Sequence, residues 1–298
     1  LELLQSLKSE LTLGYLDDVA MGGDAKTILE DFLHLEATAK EFGLELNRSK
    51  CEVVGHTEET RRLFATQNII LPETSMSSVI LLGAPLSTGQ HLDDVLTVKR
   101  KEQELLTYRL TLMPAHHAHD SLYLLRNVLT APRLMYLLRT APCTDSPELP
   151  RYDAVLRESL SSVLNVDLDD KRWTQASLPV RWGGLGVRGV VLLAPSAYLA
   201  SAASTTELTS TLLPERLRDI EDRGIAAAMS AWSKQASTPT STLPPPASPA
   251  QRAWDDPCCQ VKADELLDTA ADQVELARLL ASRSVGSGVW LDALPLSC

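Results

Sequence analysis

Two adjacent carboxylates, Asp17 and Asp18, sit inside the stretch Leu11-Thr12-Leu13-Gly14-Tyr15-Leu16-Asp17-Asp18-Val19-Ala20-Met21. Leu11, Leu13 and Tyr15 alternate with small or polar residues, and Val19 and Met21 resume the alternation beyond the acids. Period-two apolar runs on both sides of a short polar tip predict a β-hairpin with the two aspartates at or beside its turn. Carboxylates held at such a tip are hard oxygen donors of the kind Mg²⁺ takes. Where two such ions lie about 3.5–4 Å apart they can clamp the attacking and leaving oxygens of a phosphoryl transfer. Aspartate is also a favoured turn residue, so a bare Asp-Asp pair is far more often an ordinary solvated turn.

Other chemistry-bearing residues are weaker candidates. His116, His117 and His119 lie too close together to converge on one ion, which favours i, i+4 spacing or distant partners. The five cysteines, Cys51, Cys143, Cys258, Cys259 and Cys298, lack the paired short spacing of a zinc knuckle or a disulfide framework. A reduced intracellular setting, nucleus or cytoplasm, follows as the expectation. Gly184-x-Gly186-x-x-Gly189 formally matches a dinucleotide fingerprint, but that motif needs a flanking βαβ unit. Here an apolar helical run, Val190 to Ala203, follows instead, so the glycines read as a turn that packs a helix closely. Lys99-Arg100-Lys101 with Arg109, and Arg126, Arg133 and Arg139 further on, are the candidate basic stripes.

The elements that must position these residues are mostly helical. Gly22-Gly23 releases the hairpin and Asp24 is a good N-cap. Ile28, Phe32, Leu35, Ala39 and Phe42 then form a stripe at steps of four and three, expected to lie on the sheet, with Gly43 as the terminating C′ residue. A short strand is expected over Cys51-Glu52-Val53-Val54, and an apolar strand broken by a Gly turn over Val79 to Leu86. Residues 93–113 read as a helix with Val95, Val98, Leu105, Leu106 and Leu110 inward; 122–138 as a helix kinked or split at Pro132; 150–164 as a third. The Pro/Ser/Thr-rich run 236–251 is a linker, 261–281 one acidic amphipathic helix, and 286–291 a loop entering an apolar tail.

A chain of 298 residues with 44% apolar and 22% charged residues is long enough to bury real cores. Three Phe against many Leu and Ala favour helix. There is no apolar run of about 18 residues, and hence no membrane span of that kind is expected. The net charge of −11 argues against strong nucleic-acid binding by the chain alone, since phosphate neutralisation supplies most of that affinity. The expected fold class is α+β but predominantly helical: a small hairpin-and-helix part followed by a larger all-α region.

Tyr15-Leu16-Asp17-Asp18 resembles the Tyr-x-Asp-Asp box of reverse transcriptases. Gly43-Leu44-Glu45-Leu46-Asn47-Arg48-Ser49-Lys50 resembles the Gly-Leu-x-Leu-Asn-x-x-Lys segment that follows the catalytic hairpin and its helix in that family. The chain as a whole is most similar to the polymerase of non-LTR (LINE-like) retrotransposons. Its Gln175-Ala176-Ser177-Leu178-Pro179 and Gly183-Gly184-Leu185-Gly186 resemble a segment beyond the polymerase core of such proteins.

The resemblance implies an RNA-directed DNA polymerase, with an RNA template and a DNA primer as partners and Mg²⁺ (or Mn²⁺) as cofactor. It implies Asp17 and Asp18 as metal ligands, Tyr15 positioning the primer end or nucleotide, and Lys50 assisting the leaving group. Leu82 and Gly83 would belong to a hairpin that grips the primer end. The implied organisation is a partial palm over 1–90, a thumb-like helical region over 91–235, the linker 236–251 and a C-terminal helical segment 252–298. A palm also needs a third aspartate on a neighbouring upstream strand, and Glu2 and Glu10 are the only acids before Leu11. The start without Met suggests a fragment. The expectation is that this chain alone does not polymerise, with a non-catalytic helical interaction module as the alternative. A cellular RNA-binding protein is disfavoured by the charge and the lack of aromatic stacking platforms.

Overall fold

The computed structural model describes residues 2–55, 57–70, 72–113, 117–218, 220–237, 249–291 and 293. The chain is predominantly helical with small two-stranded sheets. It divides into two compact units, one of Leu1–Val79 with Thr206–Glu221 and one of Ile80–Thr205 with Asp222–Cys298.

The first unit begins with α1 (Glu2–Gln5), followed by β1 (Leu11–Tyr15) and β2 (Asp18–Gly22), an antiparallel hairpin with Leu13 opposite Ala20. Next comes α2 (Ala25–Ala39), capped by Asp24, whose carboxylate accepts from the Lys26 and Thr27 N–H groups. A 3₁₀ turn, Lys40–Phe42, extends it to Gly43 at φ 73°. Leu44 N–H reaches Ala39 O and Gly43 N–H reaches Lys40 O, a Schellman ending that needs the left-handed glycine.

Leu29, Phe32 and Leu35 are buried, but Phe42 is exposed because the chain leaves the helix there. The α2 stripe does not lie on a broad sheet. It packs with Phe64 of α3 (Glu58–Ala65), with Ile69, and with half-buried Met21, Leu46 and Val53. The strand expected over 51–54 shrinks to β3 (Val53–Val54), paired in parallel with β4 (Glu73–Thr74) and separate from the hairpin.

The second unit opens with a tight hairpin, β5 (Ile80–Leu81) and β6 (Ala84–Pro85). Its helices are α4 (Gln90–Thr111), α5 (Ala118–Asn127), α6 (Ala131–Thr140), α7 (Glu148–Leu164), α8 (Asp170–Ser177), α9 (Val190–Leu212), α10 (Arg223–Gln235), α11 (Gln251–Asp268) and α12 (Gln273–Ser282). The last turns of α9, from Thr206, fall in the first unit. Leu92 and Leu96 of α4, Leu134 and Leu138 of α6, Tyr152 and Leu156 of α7, and Leu193 of α9 form one core cluster. Trp232 and Trp254, edge to face with centroids 5.3 Å apart, anchor another between α10 and α11.

Three expectations need correction here. The inner face of α4 is Leu92, Leu96, Gln103, Thr107 and Leu110, while Val98 and Leu105 are exposed. Polar residues occupy that face with their donors engaged: Gln103 Nε2 donates to Leu129 O and Thr107 Oγ1 to Gln103 O at 2.9 Å, while Gln103 Oε1 is buried without a partner among the described residues. The helix expected over 261–281 is two, broken at an Asp-x-x-Glu capping signature. Asp272 accepts from Glu275 N–H at 2.7 Å, and Glu275 accepts from Ala271 N–H at 2.6 Å. Finally, 286–291 is not simply a loop: Val289–Leu291 is a 3₁₀ turn that buries Leu291 in the core.

Pro132 does split the 122–138 segment, sitting in the first turn of α6. The tail beyond 293, Cys298 included, and most of the 236–251 linker (238–248) lie outside the described residues. Among the described residues no helix is long and apolar enough to cross a membrane.

Candidate functional site

The hairpin register pairs Tyr15 with Asp18 and leaves Leu16 and Asp17 as a two-residue turn. Of these two only Leu16 has positive φ, at 55°, the pattern of a II′ turn, whose first position glycine normally fills. A leucine there costs about 1–2 kcal/mol. Its side chain recovers little, being 89% exposed. Tyr15 and Asp18 stand directly opposite each other, so their side chains share one face with Cβ atoms roughly 5.5 Å apart. Asp17 is carried on the turn itself. Both carboxylates are exposed, and among the described residues neither makes an ion pair. The tip therefore presents Tyr15, Asp17 and Asp18 together to solvent.

Two devices fix the base of the hairpin. Asp31, buried on α2, accepts from Lys8 N–H (2.9 Å), Ser9 N–H (2.6 Å) and Ser9 Oγ (2.5 Å). Burial works to raise its pKa, yet these donors together hold it below the ordinary carboxylate range. The clamp pins the residues that enter β1. Glu10, just before the strand, pairs with Arg216. Periodicity alone does not single out Asp31; the available signal is an acid on the buried arc of the helix, next to Phe32 and four residues before Leu35.

Lys50 ends a 3₁₀ turn, Arg48–Lys50, and is exposed. The residues around it explain the local motif. Asn47 caps the turn, its Oδ1 accepting from Ser49 N–H at 3.1 Å and Ser49 Oγ at 2.7 Å. Leu46 packs on the α2–α3 core. Arg48 grips Glu36 of α2 in a bidentate pair, 2.6 and 2.5 Å, and its guanidinium lies 6.0 Å from the Phe32 ring centroid. The hydrogen bonds from Arg48 lower the Glu36 pKa. Lys50 thus sits at the end of an anchored turn.

Leu82 and Gly83 form the β5–β6 turn, with φ 49° and 82°, the I′ pattern of two positive values. Leu82 O accepts from Tyr136 OH of α6. These two residues belong to the second unit, whereas Tyr15, Asp17, Asp18 and Lys50 belong to the first.

The segment 173–189 is a structural junction. It is flanked by α8 and α9 rather than by strands, which removes the dinucleotide-fold context. Leu185 N–H bonds Ala176 O at 3.1 Å and Gly186 N–H bonds Leu178 O at 2.9 Å, folding the glycines back over the end of α8. A Cβ on Gly184 would collide with Leu178 O and lie 2.5 Å from Gln175 O. Arg188 reaches Asp255 (2.5 Å) and Cys259 (3.2 Å) of α11, and Arg283 stacks 5.3 Å from the Trp182 centroid. Asp153 of α7 accepts from Val190 N–H (2.6 Å) and Val191 N–H (3.2 Å), capping α9 from another helix. Burial pushes its carboxyl up to about 6 against those bonds.

The basic stripes are largely engaged within the second unit. Lys99 pairs with Glu102 at 3.1 Å, Arg100 with Glu148 at 2.8 Å and with Glu104, and Arg133 with Glu102 at 3.6 Å. Arg139 donates to Gln251 (2.7 Å) and Arg126 to Leu291 O (3.0 Å). His117 bonds Asp120 at 2.8 Å and His119 bonds Ala293 O at 3.0 Å, while His116 lies outside the described residues. Among the described residues no three His, Cys, Asp or Glu side chains gather as a metal site. No family model, curated protein or solved structure matches the chain.

Proposed function

We propose that the first unit is part of the palm of an RNA-directed DNA polymerase of the non-LTR retrotransposon type, and that this chain by itself does not extend a primer. The observation that carries the reading is the hairpin tip: Tyr15 and Asp18 on one face, Asp17 on the turn, and a strained leucine between them. Strain retained at an exposed tip is characteristic of functional sites. Two exposed carboxylates suit Mg²⁺, which commonly takes one or two carboxylates and keeps water and phosphate oxygens for the rest.

In the intact polymerase Asp17 and Asp18 hold the metal, which when bound neutralises charge developing on the transferring phosphate. Tyr15, beside Asp18, packs against the primer end or the incoming nucleotide. Lys50 places a cation for the leaving group, and Leu82 and Gly83 contact the primer. RNA template and DNA primer are the macromolecular partners. The absence of polymerisation by this chain rests on the donor set, since among the described residues no third carboxylate joins the pair.

The test is Mn²⁺ binding followed by water-proton relaxation enhancement, wild type against an Asp17→Asn/Asp18→Asn double mutant. Weak binding, with Kd of about 0.1–1 mM for so low a charge count, should disappear in the double mutant. Equal enhancement in both proteins refutes the metal-binding tip. Primer extension on an RNA template should give no product; incorporation abolished by Asp17→Asn would overturn the second half of the proposal.

A second reading, a retrotransposon-derived helical module that packs against partner proteins, draws on one observation. Lys99 and Arg100 of α4 and Arg133 of α6, three of the cations that could follow a nucleic-acid backbone, are paired with Glu102, Glu104 and Glu148. It predicts that neither metal nor primer-template binds.

A further inference from the structure

A concavity of about 330 Å³ in the second unit is walled by three arginines, Arg126, Arg181 and Arg188, together with Asn127 and Gly186. Among the described residues no carboxylate lines it. That is unusual in a chain of net charge −11, and the three guanidiniums reach it from separate elements. Arg126 extends from α5, Arg181 from the 3₁₀ turn Val180–Trp182, and Arg188 from the residue pair ahead of α9.

Each is fixed from behind. Arg126 donates to Leu291 O at 3.0 Å, and Gly186 makes room for it, since a Cβ there would come within 2.7 Å of Arg126 Nε. Arg188, with its side chain only 15% exposed, is held by Asp255 and Cys259. Arg181 is held by Asp256, which also takes Arg252 at 3.2 Å, and lies 4.0 Å from Asp255. Asp153 lies near Arg188. Among the described residues, Arg126, Arg181, Arg188 and Arg252 face Asp153, Asp255 and Asp256, one cation in excess. A guanidinium has five N–H donors; the bonds described use two on Arg188 and one on Arg181. Forks held rigidly in this way are what bidentate phosphate recognition needs.

We propose that this concavity binds a phosphate group, either free or carried by a nucleotide. The space exceeds what a bare oxyanion fills and lies at the lower end of small-molecule sites. One corner, Pro179 and Val180, is apolar and offers a surface for the organic part of a phosphomonoester. The site is in the second unit and its existence does not depend on the polymerase reading of the first.

The experiment is isothermal titration calorimetry of the full chain with inorganic phosphate and with AMP, at constant ionic strength. Both should bind saturably with one site per chain. Arg126→Gln and Arg181→Gln should each weaken binding by about tenfold, the loss expected for a charge-assisted hydrogen bond. Asp256→Asn, which removes the closer of Arg181's two ion pairs and leaves Asp255 at 4.0 Å, should tighten binding severalfold; a mere packing role for these residues does not predict a gain. AMP binding more tightly than phosphate assigns the site to nucleotides, and equal affinity assigns it to the free ion; either order upholds a phosphate site. The proposal is overturned by a lack of saturable binding to the wild type, or by affinities that Arg181→Gln and Asp256→Asn leave unchanged.

Discussion

Asp153 offers the most discriminating test of the second unit. Its carboxyl is partly buried between α7 and the start of α9, and it receives the Val190 and Val191 N–H groups. Burial nonetheless raises its pKa from 3.8 to about 6. A carboxyl whose folded pKa lies above its unfolded value stabilises the fold most when both states are protonated. That contribution falls as pH rises from about 4 to about 6, where only the unfolded state is ionised, and is constant above that. At about 1.4 kcal/mol per unit of pKa the swing is at most about 3 kcal/mol.

Asp153→Asn keeps an acceptor for Val190 N–H and removes the titration. The stability of Asp153→Asn relative to wild type should therefore increase by up to about 3 kcal/mol between pH 4 and pH 7. Urea unfolding followed by tryptophan fluorescence reads this directly. All five tryptophans, Trp173, Trp182, Trp232, Trp254 and Trp290, lie in the second unit, so the signal belongs to the part that contains Asp153. Taking the difference between the two proteins cancels groups that titrate in the opposite sense. Glu148 is one: Arg100 and Arg151 overcome its burial and lower its pKa, so its contribution is lost on acidification. A difference that stays flat from pH 4 to 7 refutes the reasoning.

Two further substitutions test the junctions that hold the candidate sites. Asp31→Ala orphans the Lys8 and Ser9 donors and should destabilise the first unit by about 3 kcal/mol; hydrogen exchange across 8–22 should accelerate, with the tryptophan-reported transition unmoved. Gly184→Ala forces a Cβ onto the Leu178 and Gln175 carbonyls and should cost the second unit about 2–4 kcal/mol in urea unfolding. Gly286→Ala, whose Cβ meets nothing within 4 Å, is the control and carries only the strain of φ 86°, about 1 kcal/mol.

Local signals carried the first unit further than long-range ones. The two-period alternation, Asp24 and Gly43 were enough to place the hairpin, its cap and the helix end, because each is decided within a few residues. Phe42 continues the helical stripe in sequence but is exposed, because the Schellman turn at Gly43 redirects the chain there. In α4 the hydrophobic count favoured Val98 and Leu105, yet the buried face carries Gln103 and Thr107. Their hydrogen-bond partners are supplied by Leu129 and by the helix itself, and the first of these is not visible in a local pattern. The break at 269–272 was legible in principle, as Asp272-Gln273-Val274-Glu275 is a capping signature inside an apparently continuous helix. The arginine-lined concavity was not, because Arg126 is brought to Arg181 and Arg188 only by the tertiary fold.

Backbone strain bears on the hairpin tip independently of any sequence motif. Five described non-glycine residues adopt positive φ: Leu16, Asn68, Leu82, Asn165 and Ser237. Asn68 and Asn165 are of a type that tolerates the left-handed region, and Asn165 ends α7 as its C-cap. Leu16 and Leu82 have no such excuse, since bulky side chains there are outliers. Both leucines occupy two-residue hairpin turns, and both are exposed, so core packing does not offset the cost. Glycine would relieve either turn. These are also the turns that the sequence resemblance associates with the metal and the primer end, Leu16 between Tyr15 and Asp17, Leu82 beside Gly83. Strain and motif are separate lines of inference, one from φ angles and one from residue identity. Their coincidence at both turns is why we read the first unit's tip as a site in preference to a solvated Asp-Asp turn.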